Sequence, residues 1–190
     1  MKTNTRLLLS TMHIITWIVF IGLCIKAGAI IISFIVSLAV NPEGAENLYI
    51  NLDLSMLLSF NIWHYTLLVL CIILISAFKA YLFYVLIRIF KKINLIHPFS
   101  KEVSFLIRRM SIVALIIALF SIVGYNYSFW ITENVVTIFN APSFFNNGVK
   151  SLFDLFSGHS EFLFLAGIIF VTSLIFKRGI EYQDELDETV

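Results

Sequence analysis

Four long apolar segments, each bounded by charged residues, constrain this chain more than any other feature. A bilayer core of roughly 30 Å requires about 20 helical residues, and four segments are close to that length. They lie at about residues 14–40, 63–88, 108–131 and 160–178. Charged residues make up only 13% of the chain against 59% hydrophobic residues, which a soluble core cannot accommodate. We therefore predict an all-α integral membrane protein with a bundle of four transmembrane helices.

The length of the chain limits what else it can contain. At 190 residues, the four segments leave only short connections, so residues 1–190 form one transmembrane domain. No period of about 20 to 50 residues repeats, and the first helix pair does not resemble the second. A duplicated transporter fold is therefore not expected.

The distribution of Lys and Arg predicts the orientation. Lys2 precedes the first segment and Lys177 follows the fourth, whereas the connections on the other side contain only Lys150. Six basic residues lie at the adjoining ends of the second and third segments and in the connection between them: Arg88, Lys91, Lys92, Lys101, Arg108 and Arg109. Positive charge is retained on the cytoplasmic side. We expect both termini in the cytoplasm, in a multi-pass protein of the bacterial inner membrane.

The N-terminus has a rival interpretation as a cleaved signal peptide. Lys2 and Arg6 precede an apolar run, and Ala27-Gly28-Ala29 could form a small-residue cleavage site. The run is longer than the about 7 to 15 residues of such a segment, and a second apolar stretch follows it. We prefer a transmembrane helix, in which Ala29, Ser33 and Ser37 form a small-residue stripe that lets a neighbour approach closely.

The connection before the third helix has clear boundary signals. His97-Pro98 interrupts any helix, Ser100 is placed to cap the next one, and Glu102 is favourable in its first turn. The third helix should therefore begin in water, with Lys101 to Arg109 as a basic collar. The six basic residues of this region are either an orientation signal that contacts anionic lipid, which we prefer, or a docking surface for a partner protein.

Two lysines fall inside the apolar segments. Counted from the outer boundary, Lys26 lies about 21 Å deep and Lys79 about 24 Å deep, so adjacent antiparallel helices would place them at one level. No acidic residue is expected at that depth, because Glu133 and Glu161 are placed at outer helix ends. The lysines either line a pocket for an anion or a lipid headgroup, or extend to the cytoplasmic interface, which we prefer.

Cysteine and histidine give no sign of a cofactor. Cys24 and Cys71 lie within helices and are expected to be small buried hydrophobic residues. His64 and His159 lie near outer helix ends, where two axial haem ligands could meet, but neither belongs to a spaced ligand cluster. His64 fits an interfacial anchor equally well. We expect no catalytic residue, no metal site, no cofactor and no enzymatic activity.

Several stretches resemble a known family. They are HPFSKEV at His97 to Val103, FLFLAGIIF at Phe162 to Phe170, FKRGIE at Phe176 to Glu181, and the closing Thr189-Val190. Together they resemble the bacterial membrane family catalogued as domain of unknown function 2975 (DUF2975). The resemblance implies four membrane helices, frequent gene neighbourhood with a small helix-turn-helix regulator, and no established catalytic residues.

Two function classes follow. The first is a regulatory or sensory membrane component that acts with a cytoplasmic helix-turn-helix regulator and does not bind nucleic acid itself. The second is a small transport or channel subunit for an anionic solute or lipid. The bilayer is the expected surrounding, and a second copy of the chain is left open as a partner. The acidic tail should be loosely attracted to the basic connection; its residues are Glu181, Asp184, Glu185, Asp187 and Glu188.

Overall fold

The structure is a computed structural model with five helices and one short pair of strands in the part of the chain that it describes. It describes the backbone of residues 2–40, 46–47, 52–93, 99–139 and 156–188, and side chains within those ranges. The elements are α1 (Lys2–Ala39), β1 (Glu46–Asn47), β2 (Leu52–Asp53), α2 (Ser55–Phe60), α3 (Ile62–Lys92), α4 (Lys101–Phe139) and α5 (His159–Glu188). Pro98, Asn147, Lys150 and the closing Thr189-Val190 lie outside the described residues.

Four of these helices are long and apolar enough to cross a membrane, namely α1, α3, α4 and α5. This confirms the prediction of four helices long and apolar enough to cross a membrane. Each helix is longer than its segment: α1, with 38 residues, is about 57 Å long at 1.5 Å per residue. Polar residues at the helix ends continue the backbone hydrogen bonds of the helix. The apolar length therefore indicates how much of each helix can lie in lipid, and not where the helix ends.

Side-chain caps define the start of two of the long helices. Asn61 accepts a hydrogen bond from the backbone N–H of Trp63 at 2.8 Å and begins α3. Ser100 accepts one from the backbone N–H of Val103 at 3.3 Å, which confirms the predicted cap of α4. Each cap satisfies one of the backbone donors that a helix leaves free in its first turn.

The long helices pack most closely in chain order: α1 on α3, α3 on α4, and α4 on α5. The central helices α3 and α4 bury far more of their apolar length than α1 and α5 do. Leu68, Ile72 and Ile75 of α3 meet Ala114 and Ile117 of α4 in the main core. The outer helices therefore expose most of their apolar side chains at the surface of the molecule.

Hydroxyl groups link neighbouring helices inside this apolar bundle. Ser111 of α4 donates a hydrogen bond to the backbone carbonyl of Ala166 in α5 at 2.9 Å. Ser37, from the predicted small-residue stripe, lies 2.6 Å from the hydroxyl of Tyr65 in α3. Such bonds satisfy polar groups that would otherwise be desolvated in an apolar environment.

The two cysteines have different surroundings. Cys71 of α3 is buried as predicted, but Cys24 of α1 is exposed, so its predicted burial is wrong. A position in an apolar helix does not ensure that a side chain is buried. Among the described long helices α1 packs extensively only on α3, so Cys24 on another side of α1 stays exposed.

Candidate functional site

Lys26 and Lys79 lie on neighbouring antiparallel helices. Ring contacts give the register of α1 against α3, with Phe20 beside Tyr84 at 6.1 Å between centroids and Phe34 beside Tyr65 at 6.0 Å. This register places Lys26 close to the level of Lys79. Both lysines are half-buried, and Lys26 is near enough to interact electrostatically with the ammonium of Lys79.

The structure brings an acidic residue within electrostatic reach of Lys79. The Nζ of Lys79 lies 5.1 Å from the ring centroid of Phe162, and Glu161 interacts electrostatically with the same ammonium. Glu161 is exposed in the first turn of α5, at the predicted helix end, but the expectation that no acidic residue could interact with Lys79 is wrong. Lys26, Lys79, Glu161 and Phe162 are called the mid-helix cluster below.

The position of α5 explains this error. Phe156, just before α5, is fully buried against Gly124 of α4, with its ring so close that a Cβ at Gly124 would overlap it. Consequently α5 begins beside Tyr125, well before the end of α4, and Phe162 in its first turn meets Lys79 near the middle of α3. The apolar length of each helix can be read from the sequence, but the position of one helix along the axis of its neighbour cannot.

The six basic residues from the last turns of α3 and the first turns of α4 lie toward one end of the molecule. Among them, Lys92 forms an ion pair with Glu102 at 2.7 Å, and Arg88 also interacts electrostatically with Glu102. Arg88, Lys91, Lys92, Lys101, Arg108 and Arg109 are all exposed. This end of α3, α4 and α5 is called the charged end below.

The acidic end of the chain reaches the charged end. Asp184 of α5 forms an ion pair with Lys101 of α4 at 3.3 Å, and Lys177 pairs with Glu181 within α5 at 3.8 Å. The predicted fourth segment stops near residue 178, but α5 continues to Glu188 as a helix. The side chains of Asp187 and Glu188 lie outside the described residues.

A close contact fixes α4 against α5 at the charged end. The ring of Phe99 lies 5.3 Å from that of Phe176, and a Cβ built on Gly179 would meet Phe99 Cδ1 at 2.6 Å. Gly179 therefore allows the segment before α4 to approach α5. Beside this contact lies a groove of about 470 Å³ between α4 and α5, whose lining includes Lys101, Arg108 and Lys177.

The two histidines are used in separate contacts. Nδ1 of His64 lies 2.6 Å from the hydroxyl of Tyr127, whereas the ring of His159 lies beside that of Tyr125. Residues two apart on a helix point about 200° apart, so the two histidines lie on different sides of α4. This argues against their meeting as haem ligands. Within the described residues, no three His, Cys, Asp or Glu side chains form a group that could hold a metal ion.

Fold and site define a helical protein with four helices able to cross a membrane and two separate groups of charged side chains. Comparison of the chain with protein-family models, with curated proteins and with solved structures finds no match in any of the three. The resemblance to the DUF2975 family stays a prediction.

Proposed function

We propose that the chain is a regulatory or sensory protein of the bacterial inner membrane that acts on a small cytoplasmic helix-turn-helix regulator through its charged end. The observation that carries this proposal is the joining of α3, α4 and α5 by the ion pairs Lys92–Glu102 and Lys101–Asp184. A displacement of any of these helices changes the exposed charges that a bound protein would contact. The regulator itself is implied by the family resemblance.

The orientation of this proposal is supported by the excess of basic residues at the charged end. Reporters fused after Lys92 and after Val190 should both be cytoplasmic, and a reporter inserted at Asn147 should be external. A cytoplasmic signal at Asn147 would rule out the arrangement with both termini inside.

Partner binding is tested with purified proteins. The full chain in detergent micelles is titrated with a helix-turn-helix protein from an adjacent gene, as the family resemblance implies, and the dissociation constant is measured at low and high salt. Lys91→Gln should weaken binding because Lys91 is exposed at the charged end, and high salt should weaken it further. Lys79→Gln is the matched control, since it removes the same charge away from the charged end. If the unmodified chain did not bind the helix-turn-helix protein, the proposal would be refuted.

A second function is favoured by the mid-helix cluster. The ammonium of the half-buried Lys79 lies against α5, and the half-buried Lys26 and the exposed Glu161 both interact with it electrostatically, so the group has a net positive charge. Charged side chains at this depth are expensive and usually serve transport or ligand binding. The second candidate is therefore a transport or channel subunit for an anionic solute or lipid.

Reconstituted vesicles separate the two functions. Chloride uptake that is lost in Lys79→Leu but retained in Lys91→Leu would support transport. Vesicles that take up no more chloride than protein-free vesicles would remove anion conduction as the function.

A further inference from the structure

The groove between α4 and α5 is formed by two facing stripes of side chains. On α4 they recur at the three- and four-residue spacing of one helix face, from Lys101 to Arg108. On α5 the facing stripe runs from Phe170 to Asp184. The groove volume of about 470 Å³ is within the range of small-molecule sites.

Basic side chains outnumber acidic side chains in this groove. Lys101 is paired with Asp184 and Lys177 with Glu181, so both lysines already have a carboxylate partner. Among the side chains that the structure describes, no carboxylate forms an ion pair with Arg108. Arg108 lies about 10 Å further along α4 than Lys101, toward the middle of the helix. The groove therefore has a net positive charge. Arg108, the cation without an ion pair among the described side chains, lies at the end of the groove nearer the middle of α4.

The walls near Arg108 are apolar. Phe105, Phe170 and Leu174 line the groove, and their side chains are 63%, 47% and 48% exposed. In a bilayer Phe170 and Leu174, which belong to the apolar part of α5, face acyl chains, and Phe105 lies nearer the aqueous end of the groove. A molecule that fits this groove must therefore present a negative group to Arg108 and an apolar body to the rings beside it.

We propose that the α4–α5 groove binds the phosphate of an anionic phospholipid, with Arg108 as its fixed contact and Lys101 and Lys177 as exchangeable contacts. A guanidinium binds phosphate through two parallel hydrogen bonds, and the same phosphate competes with Asp184 and Glu181 for the two lysines. The acyl chains lie along Leu174 and Phe170, which line the groove toward the middle of α5. This inference goes beyond partner binding and requires only that α4 and α5 cross a bilayer.

The test uses the neighbouring arginine as a control. The full chain is purified in micelles containing equimolar phosphatidylglycerol and phosphatidylcholine, and the lipid that stays bound is measured by native mass spectrometry. Arg108→Gln should reduce the retained phosphatidylglycerol about five- to tenfold. Arg109→Gln removes the same charge one residue away, where the guanidinium lies 5.7 Å from the ring centroid of Tyr81 and does not line the groove. It should therefore reduce the retained phosphatidylglycerol much less than Arg108→Gln does.

Each outcome decides the proposal. Selective retention of phosphatidylglycerol that is lost in Arg108→Gln alone supports it. Equal losses in the two variants would show diffuse attraction to the charged end and overturn the groove site, as would equal retention of the two lipids. Displacement of the lipid by millimolar inorganic phosphate would assign the groove to a soluble phosphate compound. Both variants are checked for an unchanged elution volume, so that a folding defect is not read as a binding defect.

Discussion

The mid-helix cluster and the charged end both place lysine near carboxylate, but in different surroundings. Lys79 is half-buried against an aromatic ring, whereas the side chains of Lys101 and Asp184 are 81% and 59% exposed. In an apolar environment a charge is costly, so packing must hold its partners in place. In water a charge is easily solvated, and its ion pair is readily exchanged. The first arrangement is suited to a fixed site and the second to a surface that changes partners.

The largest effect should come from the packing that positions the mid-helix cluster. Gly124→Ala places a Cβ against the fully buried Phe156 ring, which must then move together with the start of α5. Overpacking of this kind costs about 1 to 3 kcal/mol, and we expect the upper part of that range because the ring is enclosed. The measurement is equilibrium unfolding in detergent micelles, followed by circular dichroism.

Gly167→Ala is the matched control for this substitution. It lies in α5, and a Cβ there would meet nothing within 4 Å. Alanine favours a helix over glycine by about 1 kcal/mol, so this variant should be as stable as the unmodified chain or slightly more stable. If both variants lost the same stability, Phe156 would not position α5.

Much of the fold is readable from the sequence, because apolar length and charge are local properties. The four long helices and the Ser100 cap follow from such signals. The interaction between Glu161 and Lys79 does not follow from such signals, because it depends on the position of α5 along α4. That shift comes from one ring, Phe156, fitting against one glycine, Gly124. A glycine in an apolar helix followed much later by an aromatic residue is too common a pattern to predict such a contact.

The charged end shows the same limit. The opposite charges of the basic connection and the acidic tail predict an attraction, but not which residues meet. The pair between Lys101 and Asp184 depends on the helical extension of α5 beyond residue 178, and the close approach of Phe99 depends on Gly179. Exposed charged residues follow no periodic apolar pattern, so the sequence does not indicate which of them form ion pairs.

A smaller effect, of opposite sign, is expected from the lysine of the mid-helix cluster. A lysine at a helix centre costs about 2.5 to 3.5 kcal/mol on insertion scales, and a cation–π contact returns about 0.5 to 2 kcal/mol. The difference is about 0.5 to 3 kcal/mol, so Lys79→Leu should raise the free energy of unfolding by about 2 kcal/mol in the same assay. Lys91→Leu, at the charged end, should change it little. A less stable Lys79→Leu protein would mean that attraction to Glu161 outweighs the desolvation of the ammonium.

The smallest effect on stability should come from the ion pair of the charged end. Lys101 and Asp184 are both mostly exposed, and such pairs contribute about 0 to 1 kcal/mol and are screened by salt. Asp184→Asn should therefore leave the free energy of unfolding nearly unchanged. Its effect should be on lipid binding. Without the Asp184 carboxylate, Lys101 is available to a lipid phosphate, and the retained phosphatidylglycerol should increase.

Deletion of Tyr182 to Val190 extends this argument, because it removes Asp184 and the acidic residues after it. If the tail competes with lipid for the charged end, the deletion should increase lipid retention at least as much as Asp184→Asn does, and the difference from the full chain should shrink at high salt. The salt dependence is what identifies competition, since a deletion that merely loosened α5 would act at every salt concentration. Should neither change alter lipid retention at low salt, the acidic tail would be a solvated helix end, and the exchangeable role of Lys101 would have to be abandoned.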